Sequence, residues 1–500
     1  MNELDRDFSD GGIAIARETK SESLGQPEAL GQPKALWNLS FTELWERFSF
    51  YGLQGVLTFY LLYSLSDGGL ELAPTTAVSI VGAYGGAVYL CQVLGGWIAD
   101  RLVAPRQMVL YGAVIIAAGH IALAVVDGIS GLALGLILIV FGTGALKTNI
   151  TSIVGMLYAD NRTARDAGFS YFYMAINSGA VLGPLLTGFT QNLWGFHAAF
   201  SLAAFGMVGA IIQFTRKMRD LPPASALVKN PIARGQLVYI LAAVFGLALC
   251  ATTLWWLDVA NGNNVVNYIT AIAVIAAIVY FTVILRAPNV TPTEKRRMRG
   301  FIPIWLATLL FFGIFLQQFT SMPLFITDRV SLDVGGWQIP APWMTAIGAL
   351  CSVAVSPFVA MLWMRLGARQ PGTPAKMAIG LMLVGGAYLL LLLSVLFPGK
   401  TVPPVLVLVC MAIAGVSDIF VVPPGLAIAT RIAPEHFQAQ TVALLFLALA
   451  AGSSISGLLG TLFAKVSAEE YFLLVGGLAL LAGILLALFA KRIGAFTDRQ

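Results

Sequence analysis

The stretch Glu43-Leu44-Trp45-Glu46-Arg47-Phe48-Ser49-Phe50-Tyr51-Gly52-Leu53-Gln54 (ELWERFSFYGLQ) sets two carboxylates and a guanidinium at the head of a long apolar segment. Positions 43, 47, 51, 54 and 58 follow i, i+4, i+7 spacing, so Glu43, Arg47, Tyr51 and Gln54 share one stripe of a helix and Glu46 borders it. The rest of that helix is apolar, and the stripe is therefore expected to face an interior cavity. A charge at mid-membrane costs about 2.5–3.5 kcal/mol on insertion scales, so each one inside a span is read as a site.

The surrounding chain explains why lipid is the reference solvent. It has 500 residues, 58% hydrophobic and 11% charged, with a mean hydropathy of +0.82. Its apolar runs repeatedly approach the roughly 20 residues needed to cross a bilayer. Runs of that length are too long for barrel strands and must satisfy their own backbone hydrogen bonds, which leaves helices. The expected class is an all-α polytopic membrane protein.

Apolar runs bounded by charges, Pro and Gly predict helices near 41–63, 76–99, 107–126, 131–158, 166–190 and 195–215. A pair follows near 235–257 and 264–286, then six more near 299–327, 342–365, 375–397, 402–430, 437–464 and 469–491. Positive loops stay on the cytoplasmic side, which tests the count. Of the 30 Lys and Arg, Arg47 and Lys147 lie in helices and Arg329, Lys400 and Lys465 fall on the far side; the other 25 share the side of the termini. Fourteen transmembrane helices, arranged as 6 + 2 + 6 with both termini cytoplasmic, satisfy that pattern. The expected organisation is a disordered tail over 1–35, an N-terminal six-helix bundle over 36–220 and a linker with two inserted helices over 221–298. A C-terminal six-helix bundle over 299–492 and a cytoplasmic tail over 493–500 complete it. Two bundles joined by a basic connector suit a central cavity with alternating access.

Within the spans the balance is three carboxylates, Glu43, Glu46 and Asp418, against two cations, Arg47 and Lys147. One proton cancels the surplus. Burial disfavours a charged carboxylate and a nearby cation favours it, so moving an ion pair between states gives a carboxylate a reason to bind and release H⁺.

At this point the residues resemble a known family. ELWERFSFYG is similar to the E-x-x-E-R-F-x-Y-Y-G motif of the proton-dependent oligopeptide transporter (POT/PTR) family of the major facilitator superfamily. Gly95-Gly96-Trp97-Ile98-Ala99-Asp100-Arg101, GTGALKTN at 142–149 and FSYFYMAINSGA at 169–180 follow in the family's order. The resemblance covers 36 to about 490 and includes the two-helix insertion common in bacterial members. It implies a major facilitator fold and a proton-coupled symporter importing small peptides, di- and tripeptides, with no enzymatic activity and no cofactor beyond protons as the coupling ion. It implies proton coupling at Glu43, Glu46, Arg47 and Asp418. It implies substrate binding at Arg47, Tyr51, Gln54, Tyr89, Lys147, Asn177, Gln317 and Asp418, with the peptide carboxylate at Arg47 and Lys147 and the amine near Asn177 and Asp418. Asp100 and Arg101 are implied gate residues.

Several pocket positions depart from the family. Gln54 stands where many members carry Arg, and Gln317 where they carry Glu; the two amides remain able to hydrogen-bond each other. Asp418 replaces a glutamate. Gly348 and Leu445 replace an amine-binding Asn and a pocket Trp, which suggests a weaker amine site and more room. The alternative readings are therefore a transporter of peptide-like or other small carboxylate compounds, or a non-transporting nutrient receptor.

Other features carry less. GTGALKT has Gly144 three residues before Lys147, whereas a phosphate-binding loop needs Gly directly before Lys. His120, His197 and His436 are isolated in sequence and no metal site is expected. Cys91, Cys250, Cys351 and Cys410 lie in apolar runs and are read as packing thiols without disulfides. The basic pI near 9.0 reflects loop charges facing the membrane surface, so no nucleic-acid partner is expected. The sequence lacks a cleaved-signal pattern at its start. The expected location is the plasma (inner) membrane, as a multi-pass monomer whose partners are small peptides, H⁺ and the lipid bilayer.

Overall fold

The computed structural model describes residues 28–29, 31–158 and 162–497. Six helices come first: α1 Lys34–Leu62, α2 Pro74–Arg101, α3 Pro105–Val125, α4 Gly128–Leu157, α5 Arg162–Trp194 and α6 Phe196–Arg216. The pair α7 Arg234–Trp256 and α8 Val265–Arg286 follows. In the second group, α9 Pro292–Phe315 and α10 Ser321–Arg329 share one crossing, and α11 is Trp343–Leu366. Then come α12 Thr373–Leu390, α13 Pro404–Asp418 and α14 Val422–Ile432 sharing a crossing, α15 Gln438–Phe463 and α16 Ala468–Thr497. Among the described residues this gives fourteen crossings in the order six, two, six. Thirteen are long and apolar enough to span a bilayer on composition alone. The other is α1, whose hydropathy is lowered by its own charge cluster.

Two crossings expected to be continuous are broken midway. A tight 3-10 turn at Leu316–Phe319 separates α9 from α10, and residues 419–421 separate α13 from α14. Gln317 lies in the first break and Asp418 is the last helical residue before the second. Pro423 and Pro424 open α14, where a residue without an N–H does no harm because first-turn donors have no helical partner. Interrupted backbone at membrane depth is tolerated where it is buried in protein or lines a cavity.

Three expected boundaries move. Residues 1–27 and 30 of the tail expected over 1–35 lie outside the described residues, but Glu28–Ala29 pairs with Gln32–Pro33, and the Tyr158 hydroxyl donates to Gln32 Oε1 at 2.7 Å. With α1 starting at Lys34, the ordered chain begins before 36. The C-terminal bundle begins at Pro292 instead of 299 because Thr291 and Glu294 cap each other reciprocally: the Thr291 N–H donates to Glu294 Oε2 at 2.8 Å, and the Glu294 N–H to Thr291 Oγ1 at 3.3 Å. The tail expected from 493 is helical to Thr497, and 498–500 lie outside the described residues. Hydropathy stops where lipid stops, while helical hydrogen bonding continues to the next cap.

The contacts that join the two bundles gather at the end away from the termini. Gly82 of α2 and Gly457 of α15 meet backbone to backbone: a methyl on Gly82 would lie 2.5 Å from the Gly457 Cα. Thr58 Oγ1 donates to the Phe319 carbonyl at 2.5 Å, and Trp343 Nε1 to that of Leu185 at 2.9 Å. Small residues allow this approach in lipid, where van der Waals packing drives association. Helix α8 lies along the same seam, with Ile269 beside Gly86 and Val266 beside Gly457. Helix α7 is exposed over most of its length. After α6 the linker is pinned to the termini-side end of α2, the Asn230 and Ile232 N–H groups donating to the Asp100 and Arg101 carbonyls at 2.9 and 3.2 Å.

Candidate functional site

The stripe on α1 is where the two bundles and the charges converge. Arg47 Nε and Nη2 donate to the two oxygens of Glu46 at 2.5 and 2.7 Å, a bidentate pair between adjacent residues. Glu43 Oε1 lies 3.6 Å from Arg47 Nε one turn away, and the same oxygen accepts from Lys147 Nζ of α4. Glu43 and Glu46 are fully buried, Arg47 is 5% exposed, and the Lys147 side chain keeps 18% exposure. The guanidinium also sits over the Phe50 ring at 4.8 Å and the Tyr51 ring at 5.7 Å. All four charges are therefore used in two ion pairs, a neutral cluster at mid-span.

The third carboxylate is elsewhere. Asp418, at the broken end of α13 in the other bundle, forms no ion pair with any described residue. Tyr51 and Tyr89 lie within electrostatic range of both Asp418 and the Arg47–Glu46 pair. Tyr51 and Tyr89 are both partly buried. Asn177 on α5 is partly buried, and its amide has no hydrogen-bond partner among the described residues.

The two glutamines do not meet. Gln317 Nε2 donates to the Gly313 and Ser456 carbonyls at 2.9 and 3.3 Å. Its Oε1 accepts from the Tyr471 and Ser321 hydroxyls, both at 2.7 Å, and from Thr320 Oγ1 at 3.1 Å. The side chain is thus saturated inside the C-terminal bundle, which explains why it has nothing to give Gln54. Gln54 instead borders a small pocket of mixed lining, with Val81, Leu316 and Phe319 beside Thr320, Ser453 and Ser456, its buried Oε1 without a partner. The remote parts of that network, Ser456 and Tyr471, and the Thr58 bond that continues the α1 stripe, escape sequence reading because their partners lie more than 100 residues away; the i+3 and i+4 spacing of Thr320 and Ser321 from Gln317 was the local signal.

The room expected from the lost Trp bulk at Leu445 is not there, and Gly348, where an amine-binding Asn was missing, has become a helix contact. Gly348 of α11 packs on the backbone of α13, where a methyl would lie 3.0 Å from the Met411 carbonyl, and a methyl on Gly415 would collide with Gly348 itself. Leu445 is 6% exposed and rests against Gly425. Close helix contact, not an enlarged pocket, occupies those positions. The Asp100 and Arg101 side chains are exposed and form no ion pair with a described residue; only their carbonyls are engaged, by the linker. Arg329, a far-side loop charge, pairs with Glu469 at 3.5 Å and donates to the Gly399 carbonyl at 3.2 Å, within one bundle. His197 is not isolated: Nδ1 lies 3.0 Å from the Leu123 carbonyl and Nε2 3.5 Å from Asp127. The four cysteines are free thiols. Asn161, which opens the Asn-x-Thr sequence at 161–163, lies outside the described residues.

Two six-helix bundles in contact at one end, with a buried ion-pair cluster in the first and a carboxylate without an ion pair in the second, define a multi-pass membrane transporter. Residues 106–474 match the model of the POT family, and the chain belongs to that family. It is 34% identical to the uncharacterized transporter YclF of Bacillus subtilis (strain 168), covering 95% of this chain and 97% of that one. It is 33% identical to a di-/tripeptide transporter of Lactococcus lactis subsp. cremoris over the same shares. Among solved structures, a mutant of peptide transporter POT in complex with alafosfalin superposes with a TM-score of 0.90 at 36% identity, covering 97% of this chain and 99% of that one.

Proposed function

We propose that the protein is a proton-coupled symporter that imports di- and tripeptides by alternating access. The observation that carries this reading is the Glu43–Lys147 pair beside Arg47–Glu46, with Asp418 of the other bundle left without an ion pair. A peptide carboxylate entering between Arg47 and Lys147 competes with Glu43 for the ammonium. Glu43, once released, is an uncompensated buried charge unless it takes up a proton, and so substrate binding and proton uptake are linked. On the other bundle Asp418 has no cation to satisfy, which leaves it open to a peptide amine or to a proton. The partnerless Asn177 amide suits the peptide backbone.

The substrate class is supported by the relative named as a di-/tripeptide transporter and by the alafosfalin complex. The excess of Lys and Arg at the termini side supports cytoplasmic termini in the plasma (inner) membrane. One chain holds both the cluster and Asp418, in keeping with a functional monomer. The closed far side then corresponds to a cytoplasm-facing state. Replacing Lys147 by Ala is expected to abolish gradient-driven uptake of labelled dialanine in proteoliposomes; wild-type uptake by that variant would sink the assignment.

A further inference from the structure

The far-side loop between α7 and α8 contains Asp258-Val259-Ala260-Asn261-Gly262-Asn263-Asn264, a run whose amide side chains stand in for regular backbone pairing. The Asn261 N–H donates to Asn264 Oδ1 at 2.8 Å, Asn264 Nδ2 to the Val259 carbonyl at 2.8 Å, and the Asn263 N–H to Asn261 Oδ1 at 3.1 Å. Asp258 takes a φ of +56°, which its short, locally bonding side chain makes tolerable. The loop is held in one shape by its own side chains, and in that shape it rests on α2. Thr76 Oγ1, in the first turn of α2, donates to Asn263 Oδ1 at 2.5 Å, and a methyl on Gly262 would lie 3.0 Å from Thr76 Cγ2.

In its far half α8 lies between the bundles. Val266 is beside Gly457 of α15, Ile269 is beside Gly86 of α2, and Ala273 is buried with Ala450 and Ala451 of α15. In its termini-side half Phe281 stacks toward the C-terminal bundle, 6.3 Å from Phe301 and 6.0 Å from Trp305 of α9. At that depth α2 packs on α4, where a methyl on Gly95 would collide with the Gly144 carbonyl. Residues 287–291 then lead directly into α9. Both halves of α8 are therefore anchored to the C-terminal bundle, while Thr76, Ile80 and Gly86 of α2 meet the inserted pair in the far half. The other end of the insertion is held by the N-terminal bundle, at the Asp100 and Arg101 carbonyls, and the exposed α7 joins the two.

We propose that the inserted pair is a far-side latch: α8 moves with the C-terminal bundle, and its loop grips α2 through Asn263 and Thr76 only while the far side is closed. This rests on the alternating access proposed above. When the bundles rock, α2 and α15 separate at Gly82 and Gly457, and a loop fixed to the C-terminal bundle must leave α2. Helix α7, with little packing to lose, absorbs the displacement between the linker and α8. The Thr76–Asn263 bond stabilises the closed state alone, so removing it shifts the population toward the open one.

Two measurements on the full chain, with its four cysteines replaced by alanine, test this. In the first, Ser453→Cys reports far-side opening by its rate of reaction with an impermeant thiol reagent. Thr76→Val is expected to raise that rate roughly two- to fivefold, the weight of one hydrogen bond. Thr270→Val, which loses a hydroxyl that donates within α8 to the Val266 carbonyl at 2.7 Å, is expected to leave it unchanged. In the second, a disulfide between Thr76→Cys and Asn263→Cys is expected to stop gradient-driven uptake of dialanine until it is reduced. Equal labelling with and without Thr76→Val, failure of the disulfide to form, or uptake that persists through it would overturn the latch. Labelling that responds to Thr76→Val without uptake by the reduced protein would support the latch and count against the proposed substrate. Absence of both labelling and uptake in every variant would overturn alternating access, and the latch with it.

Discussion

Lys147 decides how the site is charged, and the side chain that takes it is Glu43. Removing one member of a buried pair leaves the other uncompensated, which costs about 3–5 kcal/mol in a fully buried case. Arg47, 3.6 Å from Glu43, offsets part of this, so Lys147→Met is expected at or below the lower end. The double variant Glu43→Gln with Lys147→Met removes both charges and is expected to recover most of the lost thermal stability while remaining without gradient-driven uptake. Recovery of uptake together with stability would mean that the pair only holds helices together. The charges themselves were legible, because a carboxylate or an ammonium inside an apolar run has few structural reasons to be there. Their pairing was not: Glu43, Glu46 and Asp418 were equivalent candidates until the fold set Lys147 against one of them. Gln317 shows the same limit, since Thr320 and Ser321 are local but the Tyr471 hydroxyl that completes its saturation comes from a helix 154 residues downstream.

At the level of elements, the crossings were readable because lipid imposes an apolar length and the loop charges alternate in side. The breaks between α9 and α10 and between α13 and α14 were hidden, since hydropathy does not change where a helix loses a turn. Helix registry was hidden as well, which is why Leu445 was expected to leave room and the packing role of Gly348 went unread. The Gly348–Gly415 contact has a direct consequence. Gly415→Ala must push α11 and α13 apart and is expected to lower stability by about 1–3 kcal/mol, read as a fall in the detergent unfolding temperature. Gly386→Ala on α12 meets nothing within 4 Å and is expected to have no such effect. Equal melting of the two variants would show that the α11–α13 contact is looser than described here.

Across the whole molecule, the two bundles touch at the far end, and the ion-pair cluster joins α1 to α4 inside the first of them. Gly457→Ala thickens the seam at Gly82 and should shift the population toward a state open on the far side, because it penalises only the closed one. A cysteine at Ser453 in that background is expected to react faster with an impermeant thiol reagent added on the far side than in the Gly457 parent; equal rates would place the hinge elsewhere. On the function proposed above, the two-bundle frame and the mid-span charges would work as one machine that exchanges an internal ion pair for a substrate carboxylate and a proton. The most direct test is uptake of labelled dialanine by purified protein in liposomes with an inside-negative, inside-alkaline gradient, with and without a protonophore. The account predicts accumulation that collapses when the protonophore is added. Accumulation indifferent to the protonophore, or none from protein that still binds the peptide, would contradict it.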